Sequence, residues 1–349
     1  MIRIFEEVHV DWLSKRRLLL GISVVIMLAG LASALGRELS RGGTGAFNLG
    51  VDFRGGTLAT VNFKQRPPVE SIRDALARSG LGDASIQPAL DRQDQVLVKL
   101  SRQGTDEEAS DAAQVDIGQT KVREALAAFG NGGKLSEGAE WEIVGMDSVG
   151  PVAGTQLRNQ AVTVTLLALV GILLYIAFRF EWTYGASAVI TVFHDVLVTL
   201  GFFSVFQWEV NLTVVAALLT LVGFSVNDTI VTFDRVRENL RLHRRASLYD
   251  ITNEAINQTL SRTVITSGLV FLSVVAMVLF GGEVLRPFSL ALLIGIVFGT
   301  YSTIAISNPL MVWFQQRLDP TRTQGTAQPK GDARPRPEAR NARARAAAR

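Results

Sequence analysis

The chain has 349 residues, 48% hydrophobic and 19% charged, with a net charge of +3 and a mean hydropathy of +0.25. The apolar residues are gathered into long blocks, which excludes a purely soluble globular chain. The absence of cysteine excludes disulfides and thiolate metal ligands. Six blocks approach the ~20 residues needed to span about 30 Å of hydrocarbon: Leu18–Leu35, Val162–Phe178, Tyr184–Phe206, Leu212–Phe233, Thr263–Phe280 and Phe288–Phe314. The composition predicts a polytopic α-helical membrane protein.

The first block follows Lys15, Arg16 and Arg17, and Ala32-Ser33-Ala34 resembles a signal-peptidase site. The block is longer than a signal core of roughly 7–15 residues, so it reads as a retained first helix, 18–36, after a cytoplasmic N-terminus, 1–17. The polar segment that follows, 37–158, reads as one small α/β domain. Phe47–Phe53 and Thr57–Phe63 flank the turn Arg54-Gly55-Gly56 as two strands. Pro67–Gly80 has helical spacing of Val69, Ile72, Ala75 and Leu76. Ala84–Pro88, Val96–Leu100 and Trp141–Met146 read as further strands. Thr105–Phe129 reads as a helix capped by Thr105 and started by acids. The order β-β-α-β-β-α-β predicts a ferredoxin-like domain with an extra strand. It contains no histidine, cysteine or nucleophile motif, so no enzyme site, metal or cofactor is expected.

The spans 159–316 carry polar lines. Ser187, Thr191, Asp195 and Thr199 recur every four residues in the third, with His194 adjacent. Ser225, Asp228 and Thr232 share a face of the fourth, with Asn227 and Thr229 beside them, and Arg262, Thr266 and Ser273 line the fifth. These three lines are expected to face one another. At 1.5 Å per residue, Asp195 lies about 16 Å from the end near Tyr184, and Asp228 about 9 Å from Asp234. A charge at the bilayer centre costs roughly 2.5–3.5 kcal/mol on insertion scales, so Asp228 marks an ion or proton pathway. Gly295 and Gly299 suggest a close-packing face.

Arg235, Arg237, Arg241, Arg244 and Arg245 crowd one joint, whereas Gln207–Asn211 and Gly281–Pro287 together hold only Arg286. The positive-inside rule then puts both termini in the cytoplasm and the α/β domain outside. The tail, 317–349, reads as a disordered basic extension.

Gly50-Val51-Asp52-Phe53-Arg54-Gly55-Gly56, Val149-Gly150-Pro151 and Phe193-His194-Asp195 stand in the order seen in the SecF branch of the SecD/SecF protein-export family. So does Val222–Asn239, reading VGFSVNDTIVTFDRVREN, with Leu260-Ser261-Arg262-Thr263 and Phe280-Gly281-Gly282 after it. The resemblance runs from Phe47 to about Phe314. Phe53, where SecD members typically carry leucine, and the short external domain favour the SecF branch.

The resemblance implies half of a twelve-helix unit of the resistance-nodulation-division type, completed by a SecD-like subunit. Such a unit works beside SecYEG, with YajC as a further partner. It uses the proton motive force to draw unfolded preproteins across the bacterial cytoplasmic membrane, in contact with membrane lipid and without nucleic acid. The family's membrane aspartate and arginine map onto Asp228 and Arg262. His194, Asp195, Asn227 and Thr266 join them as the expected pathway, and Gly50, Asp52, Phe53, Gly55 and Gly56 carry the external motif. The alternative is an exporter half of the same superfamily for a lipid or small molecule, which predicts two external domains and twelve spans in one chain.

Overall fold

A computed structural model of the protein describes residues 9–40, 45–82, 84–89, 92–100, 120–179, 181–243 and 245–318. The expected Thr105 cap and nearly all of the basic tail lie outside these residues. The first span, α1 (Arg16–Leu39), is followed by a two-residue strand, β1 (Asn48–Leu49), and a single helical turn, α2 (Val51–Arg54). A sheet with two helices follows: β2 (Gly56–Phe63), α3 (Val69–Arg78), β3 (Ser85–Pro88), β4 (Gln95–Leu100), the described part of α4 (120–126) and β5 (Trp141–Val149).

The sheet order β3-β4-β2-β5 is antiparallel throughout, as a ferredoxin-like β-α-β-β-α-β chain requires. Alternation in β4 buries Val96, Val98 and Leu100 against Ile72 and Leu76 of α3 and Val122 and Leu126 of α4. The predicted first strand, Phe47–Phe53, does not join this sheet. Its hydrogen-bonding edge is taken elsewhere: β1 pairs in parallel with β6 (Glu209–Val210), in the turn between two membrane helices. Gly50 then caps α2, and Gly55 closes it at φ +75°, a conformation that costs a side-chain-bearing residue dearly.

Five further helical runs complete the bundle: α5 (Pro151–Arg179), α6 (Trp182–Phe206), α7 (Leu212–Leu242), α8 (Leu248–Phe280) and α9 (Gly282–Ser302), the last continuing through a π turn, Thr303–Ser307, into α10 (Asn308–Leu318). Among the described residues, six helices are long and apolar enough to cross a membrane. The chain is therefore a multi-pass membrane protein. With 31 and 33 residues, α7 and α8 are about 46 and 50 Å long and outrun the hydrocarbon. The arginines expected in a joint are thus largely helical, since Arg235, Arg237 and Arg241 lie on the last turns of α7. The π turn interrupts a span that reads as continuous in sequence. Pro309 has no N–H to offer the carbonyl four residues back, and the widened turn accommodates that loss.

Small residues set the helix spacing. A Cβ on Gly30 of α1 would lie 2.6 Å from Cα of Gly201 of α6, and one on Gly295 of α9 would lie 2.6 Å from Leu221 of α7. The segment before α1 is fastened to α8: Asn253 and Asn257 accept from the Trp12 backbone and indole N–H groups at 2.8 and 3.0 Å. Both amides also donate to the Val10 carbonyl.

The α1–α6 contact gives a direct test. Gly30→Val should force the helices apart and destabilise the detergent-solubilised protein by about 1–3 kcal/mol. Gly21→Val, with nothing within 4 Å of the added carbon, should leave the melting temperature nearly unchanged. Equal melting of the two variants would refute the close packing.

Candidate functional site

Two buried carboxylates occupy the bundle, and their surroundings differ. Asp195, mid-way along α6, is 1% exposed. One of its oxygens, Oδ2, accepts from Ser225 Oγ of α7 at 2.6 Å and from Ser302 Oγ of α9 at 2.8 Å. The other, Oδ1, lies 3.0 Å from His194 Nδ1. Three helices thus meet at one carboxylate. Gly299 lies beside this site, where an added Cβ would make ordinary contact with Ser225 Cβ at 3.4 Å. His194 Nε2 is buried without a hydrogen-bond partner among the described residues. The line expected on α6 is inside throughout: Ser187, Thr191 and Thr199 are buried, and each hydroxyl donates to a carbonyl of its own helix.

Asp228 of α7 is 3% exposed, and its Oδ2 accepts from Ser267 Oγ of α8 at 3.2 Å. Its neighbours Thr229 and Thr232 are buried, reaching Thr303 Oγ1 at 3.1 Å and Thr259 Oγ1 at 3.5 Å. Asp228 begins the seventeenth position of α7, about 24 Å from its first residue. The structure does not bring Arg262 to it as an ion pair: no contact within 4.0 Å joins them. Arg262 is exposed on α8, as are Thr266 and Ser273. This departs from the expectation that the three polar lines face one another. The α6 and α7 lines turn inward, while α8 sends Thr259, Thr263 and Ser267 inside and the Arg262 line outward. Asn227 is likewise exposed on α7.

The glycine-rich motif forms a joint rather than a free turn. Gly50 N–H donates to Val210 O at 2.8 Å, extending the β1–β6 pairing. Asp52 Oδ2 accepts from the Leu212 N–H at 2.9 Å, the first N–H of α7. That donor has no partner within the helix, and a carboxylate beside it also meets the positive end of the helix dipole. Asn211 caps the same end by accepting from Val214 N–H at 3.1 Å. Phe53, 5% exposed, packs with Val214, Ala217, Leu218 and Leu221 of α7. Gly56, at φ +135°, leaves no room for a Cβ, which would lie 2.3 Å from Leu100 O. Lys99 of β4 pairs with Glu209 of β6 at 3.2 Å.

Sequence reasoning missed Ser302, Ser267 and Thr303. The pair Ser302-Thr303 inside an apolar block was the available signal for two of them. The Asp52–Leu212 bond spans 160 positions and leaves no local trace. Among the described residues, no group of three or more His, Asp or Glu side chains is arranged to hold a metal.

Residues 133–317 match the family model described as protein export membrane protein SecD/SecF, C-terminal, and residues 43–65 match the SecD/SecF GG motif. The chain is 41% identical to the protein translocase subunit SecF of Koribacter versatilis, over 90% of this chain and 93% of that one. It is 40% identical to that of Pseudomonas aeruginosa, over 80% and 84%. A crystal structure of SecDF from Thermus, described as a translocon-associated membrane protein, superposes with a TM-score of 0.72 at 33% identity, covering 89% of this chain. This chain spans only 39% of that SecDF chain. With a matching model over more than half its length and relatives this similar, the chain belongs to the SecD/SecF family of protein-export membrane proteins.

Proposed function

We propose that this chain is a SecF-type subunit of a bacterial protein translocase. It pairs with a SecD-type subunit and uses proton movement past Asp228 to assist preprotein export through a SecYEG channel, with YajC as an accessory partner. Both termini lie in the cytoplasm and the α/β domain lies outside. The observation that carries this reading is the unequal treatment of charge in the bundle. Among the described residues, Asp228 is buried with a single hydroxyl on its carboxylate, while Arg262 is left on an outer face of a membrane helix. A guanidinium facing lipid is costly, so such a face calls for a protein partner.

The helical register makes that face continuous. On α7, Ala216, Thr220, Gly223 and Asn227 are exposed along one row, and on α8, Arg262, Thr266 and Ser273 are exposed along another. At 100° per residue, both rows lie on the side of the α7–α8 pair away from α9. The hydroxyls of Thr220, Thr266 and Ser273 fold back onto carbonyls of their own helices. A second six-helix half would cover this surface and seat Arg262 beside the pathway. In the proposed cycle Asp228 carries the proton and Arg262 is its movable counter-charge. Each proton crossing 100 mV supplies about 2.3 kcal/mol, enough to bias a two-state arrangement.

Asp228→Asn should abolish proton-driven translocation in reconstituted vesicles, while the subunit still folds and co-purifies with its SecD-type partner. Normal proton-driven translocation by this variant would reject the assignment. Bulk on the polar face should act differently. Thr266→Trp should reduce recovery of the subunit pair at least severalfold, whereas Leu272→Trp, on a side chain 64% exposed toward lipid, should not. Equal recovery from both would show that the partner docks elsewhere.

A further inference from the structure

We infer that Asp52 is a positioning residue for energy coupling: its bond to the first N–H of α7 fastens the α/β domain to the helix that carries Asp228, so that motion of α7 moves the domain. The inference rests on the proposed transport function. It names the joint through which the work would pass.

The α/β domain has two covalent tethers, one from α1 and one into α5. The first comes from α1, which carries neither buried carboxylate. The second runs from β5 through Gly150 into α5, and α5 carries neither buried carboxylate. The noncovalent joint is more direct. Gly50 N–H, Asp52 Oδ2, Lys99 Nζ and Phe53 all engage β6 or the first turns of α7. Of these, Asp52 alone holds the helix by its own terminal N–H. From that point α7 runs unbroken past Ser225, which donates to Asp195, to Asp228. Leu221, packed with Phe53 in one cluster, also fills the notch opened by Gly295. A tilt or axial shift of α7 at the carboxylates is therefore delivered to α2 without a flexible intermediate.

The motif is built for that contact. A Cβ on Gly50 would lie 2.7 Å from Glu209 Oε1, and one on Gly154 of α5 would lie 2.9 Å from Gly55 N. The glycines let α2 sit against both the α6–α7 turn and the start of α5. The carboxylate then supplies a polar contact to the first N–H of α7.

The test separates coupling from folding. The full chain is reconstituted with its SecD-type partner and the channel, and proton flux and proton-driven translocation are measured on the same vesicles. Asp52→Ala should leave proton flux near that of the wild type and reduce translocation about tenfold, the factor expected from loss of a charged helix cap. Asp52→Asn, which keeps an acceptor but no charge, should fall between. Full translocation by Asp52→Ala would overturn the inference, and so would a parallel fall in flux and translocation, the mark of a merely structural role. Should the alanine variant fail to assemble, the decision passes to Asp52→Cys with Leu212→Cys in this cysteine-free chain. Oxidation of that pair should restore coupling and reduction should remove it; no gain on oxidation overturns the inference. Asp228→Asn run alongside keeps the two claims apart. If that variant still translocates, the functional reading fails; if it is inactive while Asp52→Ala is fully coupled, only the joint fails.

Discussion

Hydrocarbon cannot satisfy a polar group, so every carboxylate carried into the bundle must find its donors on neighbouring helices. Asp195 meets this demand with hydroxyls from two other helices, and α9 approaches α7 across Gly295 and Gly299, most closely at Gly295, where a Cβ would lie 2.6 Å from Leu221. The same small residues that give van der Waals contact also bring Ser302 within reach. Packing and polar satisfaction are thus one constraint. A larger residue at 295 would press on Leu221 and shift the helix that carries Ser302.

The two acids divide the bundle into a settled part and a labile part. Around Asp195 the donors come from α6, α7 and α9, which fixes the relative position of three helices. Around Asp228, among the described residues, a single hydroxyl of α8 does the work, at the longer distance of 3.2 Å. A carboxylate with few donors changes its proton or its partner at lower cost than one with many. The polar outer row of α8 lies next to this thinner site, so a partner subunit seated there would meet the labile acid rather than the settled one.

Much of this was legible in sequence because membrane helices announce themselves by length and composition. All six spans were found, as were the ferredoxin-like strand order and the inward lines of α6 and α7. What failed did so for identifiable reasons. Phe47–Phe53 has the composition of a strand, but which edge it pairs with is decided by Glu209 and Val210, far along the chain. The outward turn of Arg262 depends on which side of α8 meets α7, and five positions, about 140° of rotation, separate it from buried Ser267. The ends of α7 and α8 were underestimated because hydropathy reports where lipid stops, whereas the helices continue on charged residues such as Arg235 and Glu238, which pair at i,i+3.

The α1–α6 contact has a mechanical meaning beyond stability. The two helices touch backbone to backbone at Gly30 and Gly201, and the strands that follow and flank them, β1 and β6, are hydrogen-bonded to one another. Ser204, near the end of α6, also donates to the carbonyl of Ala46, just ahead of β1. These contacts all lie toward the same end of the two helices, the end from which the chain runs into β1 and β6. The first and third spans should therefore behave as a fixed frame. A shift at the start of α7 is then felt by that whole unit through Asp52, and not by the α/β domain alone.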